Sequence, residues 1–240
     1  MTANQQIGLS LLFLIVNVAI LWAILFWNRR AESTSTQKTA AALDPTDPPC
    51  LDAADILGWE FEYARSTASE AMSDRHTMVN FYLLAAGLLA TGVLGFLSKD
   101  SPIPVEAAAL LLWLVCGVGW IYFLSIIRLR QAWHDSARAM NQIKDFYIRH
   151  VKELSSDELS TAFRWRTQTL PDPDKPWTVF FYSAMLIAFL NTVSYFGGAV
   201  LLRIKQPDGF APLLLAILAG FALIFFFFQV WLYKEFLRKK

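Results

Sequence analysis

A chain of 240 residues in which 55% are hydrophobic and 15% aromatic, with its charges gathered between long uncharged runs, does not have the composition of a soluble globular domain. Its net charge of +1 arises from 21 basic and 20 acidic residues, a balance that gives no basic surface and no support for nucleic-acid binding. Five apolar runs reach the roughly 18 to 20 residues that a helix needs to cross a bilayer: Ile7 to Trp27, Val79 to Leu97, Ala107 to Ile127, Trp177 to Leu202 and Phe210 to Tyr233.

The expected fold class is all-α: a polytopic membrane protein with five transmembrane helices and a long helical hairpin extending into the cytosol. The first run has no basic residue before it and ends in Trp27-Asn28-Arg29-Arg30 rather than at a small-residue cleavage site, so residues 1–30 read as an uncleaved anchor. Lys and Arg number 5 in segment 28–78, 9 in 128–176 and 4 in 234–240, against Lys99, Arg203 and Lys205 on the other side. Positive segments stay in the cytosol, which predicts the plasma (inner) membrane with the N-terminus outside and the C-terminus cytosolic. Seventeen of the 20 acidic residues share that side, so its face is mixed rather than basic.

Along the chain, Asn17 is the polar group of the first span, expected to hydrogen-bond a neighbouring helix. Residues 31–52, rich in Ser, Thr, Ala, Asp and Pro, form a flexible linker. Residues 53–154 then form the hairpin: a polar helix, the span 79–97, a break at Ser98-Lys99-Asp100-Ser101-Pro102, the span 105–127, and a second polar helix. Leu57, Phe61, Ala64, Ala68, Ala71, Arg75 and Met78 recur at alternating spacings of four and three, the pattern of a helix with a packing seam. Trp133, Ala137, Met140, Lys144, Tyr147, Val151 and Leu154 repeat that period on the second polar helix. Large side chains there match the small Ala64, Ala68 and Ala71, which predicts that the two seams meet, within the chain or between copies.

Within the spans, Gly87, Thr91 and Gly95 fall four apart, and Gly117 and Gly119 lie beside Cys116. Small residues at this spacing let membrane helices approach closely, so all five are candidates for helix packing or for lining a pore. Asp74, Arg75, His76, Arg128 and Arg130 lie at similar heights on the hairpin and are expected to form an interfacial charge layer in which a carboxylate pairs with an arginine; the sharper alternative is a ring of charges at the mouth of a pore.

Residues 155–176 open on the capping box Ser155-Ser156-Asp157-Glu158 and carry Phe163, Arg164, Trp165 and Arg166, a mixture expected of an amphipathic helix on the inner membrane surface. Pro171, Pro173 and Pro176 make a stiff turn into a second transmembrane hairpin, 177–240, which holds Asn191, Ser194 and Gly197-Gly198 and ends in the basic tail Lys234, Arg238, Lys239 and Lys240.

Catalytic patterns are absent. His76, His134 and His150 are too far apart in sequence to form a zinc site by themselves, Cys50 and Cys116 suggest no disulfide, and no phosphate loop, nucleophile elbow or haem attachment motif occurs. No cofactor, metal or enzymatic activity is expected. No span carries a charge near its centre, which argues against an ion-coupled transporter.

The order of polar helix, span, short turn, span and polar helix, with Tyr63-Ala64-Arg65 before the first span and Arg128-x-Arg130-x-x-Trp133 after the second, resembles the SLATT domains, two-transmembrane effector modules of bacteria. The resemblance covers residues 55–154 and implies self-association into a membrane pore; the spans outside the hairpin depart from the two-span form. The first expectation is therefore a homo-oligomeric channel or pore-type protein. The alternative is a scaffold or accessory subunit that docks partner proteins of a larger membrane complex.

Overall fold

The computed structural model describes residues 53–96, 104–150, 166–204 and 212–238, all within one structural unit, Asp52–Lys240. The first predicted span with Asn17, the 31–52 linker with Cys50, the polar break at 98–102, the seam positions Val151 and Leu154, the capping box and amphipathic segment at 155–165, and the loop Lys205 to Gly209 lie outside the described residues.

Four long helices and a single 3-10 turn (Thr167–Thr169) make up the described secondary structure: α1 (Ala53–Phe96), α2 (Val105–His150), α3 (Val179–Ile204) and α4 (Pro212–Arg238). Each is long and apolar enough to cross a membrane. Alanines and leucines keep α1 and α2 helical, and no proline interrupts either. Pro104 immediately precedes α2, whose first backbone bond runs from Ala107 N to Pro104 O at 2.9 Å. Glu106 lies in that first turn, against the positive end of the helix dipole, while Arg149 and His150 occupy the last.

The start of α3 is set by two residues. Trp177 adopts φ 67°, a left-handed conformation that cannot continue into a helix, and Thr178 caps the first turn by accepting the Phe181 N–H at 3.2 Å. Hence α3 begins at Val179, two residues after the predicted start of that span. Pro212 occupies the first position of α4, where its missing N–H costs nothing, and the helix runs past Tyr233 to Arg238.

Pairwise contacts give an up-down-up-down arrangement. Phe61 meets Lys144 and Tyr82 meets Tyr122, so α1 and α2 are antiparallel. Trp113 reaches Tyr195 while Trp133 reaches Phe180, and Phe181 meets Tyr233 while Tyr195 meets Phe225. Helix α2 lies between α1 and α3 and touches all three partners. At 1.5 Å per residue α1 and α2 are about 66 and 69 Å long, roughly twice the ~30 Å hydrocarbon thickness.

The outside of the bundle is apolar. Phe81, Leu84 and Leu88 on α1, Leu110, Leu114 and Ile121 on α2, Phe189 and Val193 on α3, and Phe221, Ile224 and Phe227 on α4 are all exposed. In water these faces would aggregate; against lipid tails they are matched. Lipid removes the hydrophobic drive for helix association, so packing, close approach and hydrogen bonds must hold the helices together. Hydroxyls on the helix flanks follow the same rule: Thr91, Ser125, Ser183 and Thr192 each donate to the carbonyl four residues earlier.

Candidate functional site

Two clusters of buried polar side chains organise the bundle. The first joins one residue from each of three helices and a glycine from the fourth. Tyr82 on α1 donates its hydroxyl to Asn191 Oδ1 at 2.8 Å, and Asn191 Nδ2 donates to Gln229 Oε1 on α4 at 3.2 Å. Gln229 Nε2 reaches Ala188 O at 3.3 Å and Thr192 Oγ1 at 3.4 Å. Asn191 and Gln229 are fully buried and Tyr82 almost so. The knot exists because Gly119 on α2 has no side chain: a Cβ there would overlap Asn191 Oδ1 and come within 2.5 Å of Tyr82 Oη. Gly198 allows a second close approach, since its Cβ would lie 2.7 Å from Trp113 Nε1 and 3.1 Å from Ala109 O. There the indole donates to Tyr195 O at 3.1 Å.

The second cluster lies at the end of the bundle where α3 begins. Arg75 on α1 and Arg130 on α2 are 2% and 3% exposed, and both guanidinium groups sit over the ring of Phe180, at 5.0 and 5.6 Å from its centroid. Arg130 also covers Trp133 at 4.7 Å. Cation–π contacts of this kind contribute about 0.5 to 2 kcal/mol, well short of the several kcal/mol that burying an ion costs. Burial accordingly works against the charge of both side chains, although arginine keeps it.

Hydrogen bonding around these arginines is incomplete. Arg75 Nη2 donates to His76 Nε2 at 2.6 Å, and Arg130 Nε donates to Pro173 O at 3.2 Å. Arg75 Nη1 and Arg130 Nη2 have no partner. Tyr233 Oη lies near Arg130 and shares a hydrogen bond with Thr178. Two unpartnered side-chain nitrogens, Arg75 Nη1 and Arg130 Nη2, thus belong to the guanidinium groups that cover Phe180 in the first turn of α3.

The connection into α3 is held to α2 by further bonds. Asn141 Nδ2 donates to Arg166 O at 3.2 Å and Thr167 Oγ1 donates to Asp145 Oδ2 at 2.6 Å, while α2 is tied separately to α4 by Gln131 Nε2 donating to Phe236 O at 3.0 Å. His134, among Arg130, Arg138, Asp135 and Asp172, has its pKa lowered from the usual 6.5, first by burial and then by the two arginines, with the carboxylates opposing.

The predicted charge layer is rearranged. Asp74, His76 and Arg128 are exposed and Arg130 is buried. Among the described residues no carboxylate pairs with Arg75, Arg128 or Arg130: Arg128 Nη1 bonds Gln131 Oε1 at 3.3 Å, and an exposed ion pair on α1 joins Glu62 and Arg65 at 3.5 Å. Salt bridging thus gives way to aromatic and backbone contacts, because Phe180 and Pro173 arrive from a distant part of the chain.

Of the five small residues Gly87, Thr91, Gly95, Gly117 and Gly119, Gly119 is the one at a tight contact. A Cβ on Gly87, Gly95 or Gly117 would meet nothing within 4 Å, and Thr91 is exposed. On the seams Ala64, Ala68, Ala71 and Ala137 are buried, and Trp133 and Met140 are half-buried, Trp133 lying against Phe180. Tyr82, Gln229 and Phe180 were not singled out by the sequence. A lone amide in the long apolar run of α4 was the available signal for Gln229; the others had none. Compared with known proteins, the chain matches no family model, no curated protein and no solved structure.

Proposed function

We propose that this chain is a non-enzymatic, multi-pass protein of the plasma membrane, oriented with its N-terminus outside, that works as a homo-oligomeric channel or pore-type protein. The polar halves of α1 and α2 project into the cytosol as its assembly and gating element. The observation that carries this reading is the unbroken course of both helices for about twice the thickness of a bilayer, with alanines buried along α1. Two helices locked in this way transmit movement from a cytosolic end to the membrane. The layout that resembles SLATT domains points the same way.

The interior of the bundle is filled by the Tyr82–Asn191–Gln229 knot, so a conduit lies between copies rather than through one. Reconstitution in planar bilayers, together with the mass of the detergent-solubilised protein, tests this. A closed homomer that conducts supports it; a monomer silent at every voltage and with every cytosolic ligand sinks it. A second reading, an accessory subunit of a larger complex, is favoured by Trp59 and Tyr63, one turn apart on α1 and 70% and 72% exposed. Gentle native purification separates the two, because a heterologous partner at fixed stoichiometry supports the second.

A further inference from the structure

Exposed aromatic side chains on a helix that stands clear of the membrane mark a contact surface. Trp59 and Tyr63 are such residues, 70% and 72% exposed. Trp59 stands about 20 positions, or about 30 Å of helix, before the apolar stretch that opens at Val79, too far out to belong to an interfacial aromatic belt. Both share one face of α1 with Asp55, Glu62, Ser66 and Glu70, all exposed. Glu62, Ser66 and Glu70 each fall two positions from the buried Ala64 or Ala68, so this face is turned about 200° from the seam on which Phe61 meets Lys144. Arg65, beside the face, pairs with Glu62 at 3.5 Å, and the face keeps an acidic balance.

Helix α2 carries a counterpart. Asp135, Arg138, Gln142, Phe146 and Arg149 recur at spacings of three and four and are all exposed. Gln142 and Phe146 stand two positions either side of Lys144, whose ammonium lies 5.6 Å from the Phe61 ring on α1. This second face is therefore turned away from α1, as the first is from α2, and one chain cannot bring the two together.

Copies in one membrane share an orientation and a depth, so faces on neighbouring copies meet at equal heights. Within the chain Phe61 is level with Lys144 and Tyr82 with Tyr122. The same register sets Trp59 level with Phe146 and Asp55 beside Arg149, and leaves Arg138 between Glu62 and Glu70. Aromatic meets aromatic and carboxylate meets guanidinium; Asp135, level with Glu70, is the exception.

We propose that the acidic, aromatic outer face of α1 in one copy docks on the basic outer face of α2 in a second copy. This names the assembly surface of the homo-oligomer proposed above and rests on that reading. Because the two faces differ, the contact is heterologous and repeats from copy to copy, closing into a ring where the rotation allows.

The test is the mass of the full chain in detergent at low salt, followed by light scattering over a range of concentrations. Reversing the α1 face (Asp55→Arg with Glu70→Arg) or the α2 face (Arg138→Glu with Arg149→Glu) is expected to weaken self-association about tenfold, and combining all four substitutions to restore it. A second arm needs no charge reversal. Co-expressed Trp59→Cys and Phe146→Cys chains should give on oxidation a covalent mixed dimer that neither gives alone, and this arm decides if a reversed variant fails to fold or the combined variant does not reassemble. A wild type that assembles, yet is indifferent to the reversals and yields no mixed dimer, overturns this surface and leaves the homo-oligomer standing. A wild type that is monomeric at every concentration overturns both, and a different protein held at Trp59 and Tyr63 in native purification overturns the assignment to a second copy.

Discussion

Replacing Gly119 by alanine tests whether the polar knot holds the helices together. The added methyl group overlaps Asn191 Oδ1 and falls 2.5 Å from Tyr82 Oη and 2.8 Å from Asn191 Cγ. Asn191 is wedged by its bonds to Tyr82 and Gln229, so the clash forces the amide out of place. Overpacking costs about 1 to 3 kcal/mol, and each lost interhelical hydrogen bond in a membrane adds about 0.6 kcal/mol. Removing a helical glycine returns up to about 1 kcal/mol, for a net loss of roughly 2 kcal/mol. For a protein of this size that lowers the melting temperature by about 4 to 8 °C. Gly117→Ala, two residues away and with nothing within 4 Å, is the matched control and should be neutral or slightly stabilising. Thermal melting of both variants in detergent decides the matter, and melting points within about 1 °C of each other would refute the reasoning. Combining Gly119→Ala with Asn191→Ala should recover part of the loss, a coupling of at least about 0.5 kcal/mol, because the truncated side chain makes room for the methyl group.

Other expectations follow from the same geometry. Gln229→Leu strands the Asn191 amide and should lower stability by about 1 to 2 kcal/mol in the same melting assay, more than Tyr82→Phe, which removes a single donor. His134 is disfavoured as a cation in the fold, so the unfolded chain takes up its proton first; stability should fall as pH drops below the ordinary value of 6.5, and His134→Gln should flatten that part of the pH–melting profile. Trp177 is 78% exposed and held at φ 67°, so Trp177→Gly should melt above Trp177→Ala by about 1 kcal/mol equivalent, whereas the reverse order would mean that the turn relaxes.

Four of the five predicted spans coincide with long apolar helices because an apolar run of the right length reports on its own environment, and the pairing of α1 with α2 was readable because a short polar break separates two long helical patterns. Partner identity was not readable. Small residues four apart give a period but not the direction in which a neighbour lies, so Gly87, Gly95 and Gly117 carried the same signal as Gly119, and only Gly119 faces Asn191. Arginine at a membrane boundary is likewise visible in sequence, yet whether it meets a carboxylate or an aromatic ring depends on Phe180, some 50 residues beyond Arg130. Asn191 was visible as a polar residue in a span, but its partners Tyr82 and Gln229 belong to other helices and no local pattern names them.

The separation of Tyr82 from Asn191 also bears on how the protein is made. The two residues are 109 positions apart, so at ribosomal speeds of about 5 to 20 residues per second the Tyr82 hydroxyl is synthesised roughly 5 to 20 s before its acceptor. Gln229 emerges later still, 38 positions after Asn191. The first hairpin therefore enters the bilayer with an unmatched phenol and a vacant notch at Gly119, and the second arrives carrying the amides that fit it. The Tyr82–Asn191–Gln229 knot can therefore close only once α4 has been made.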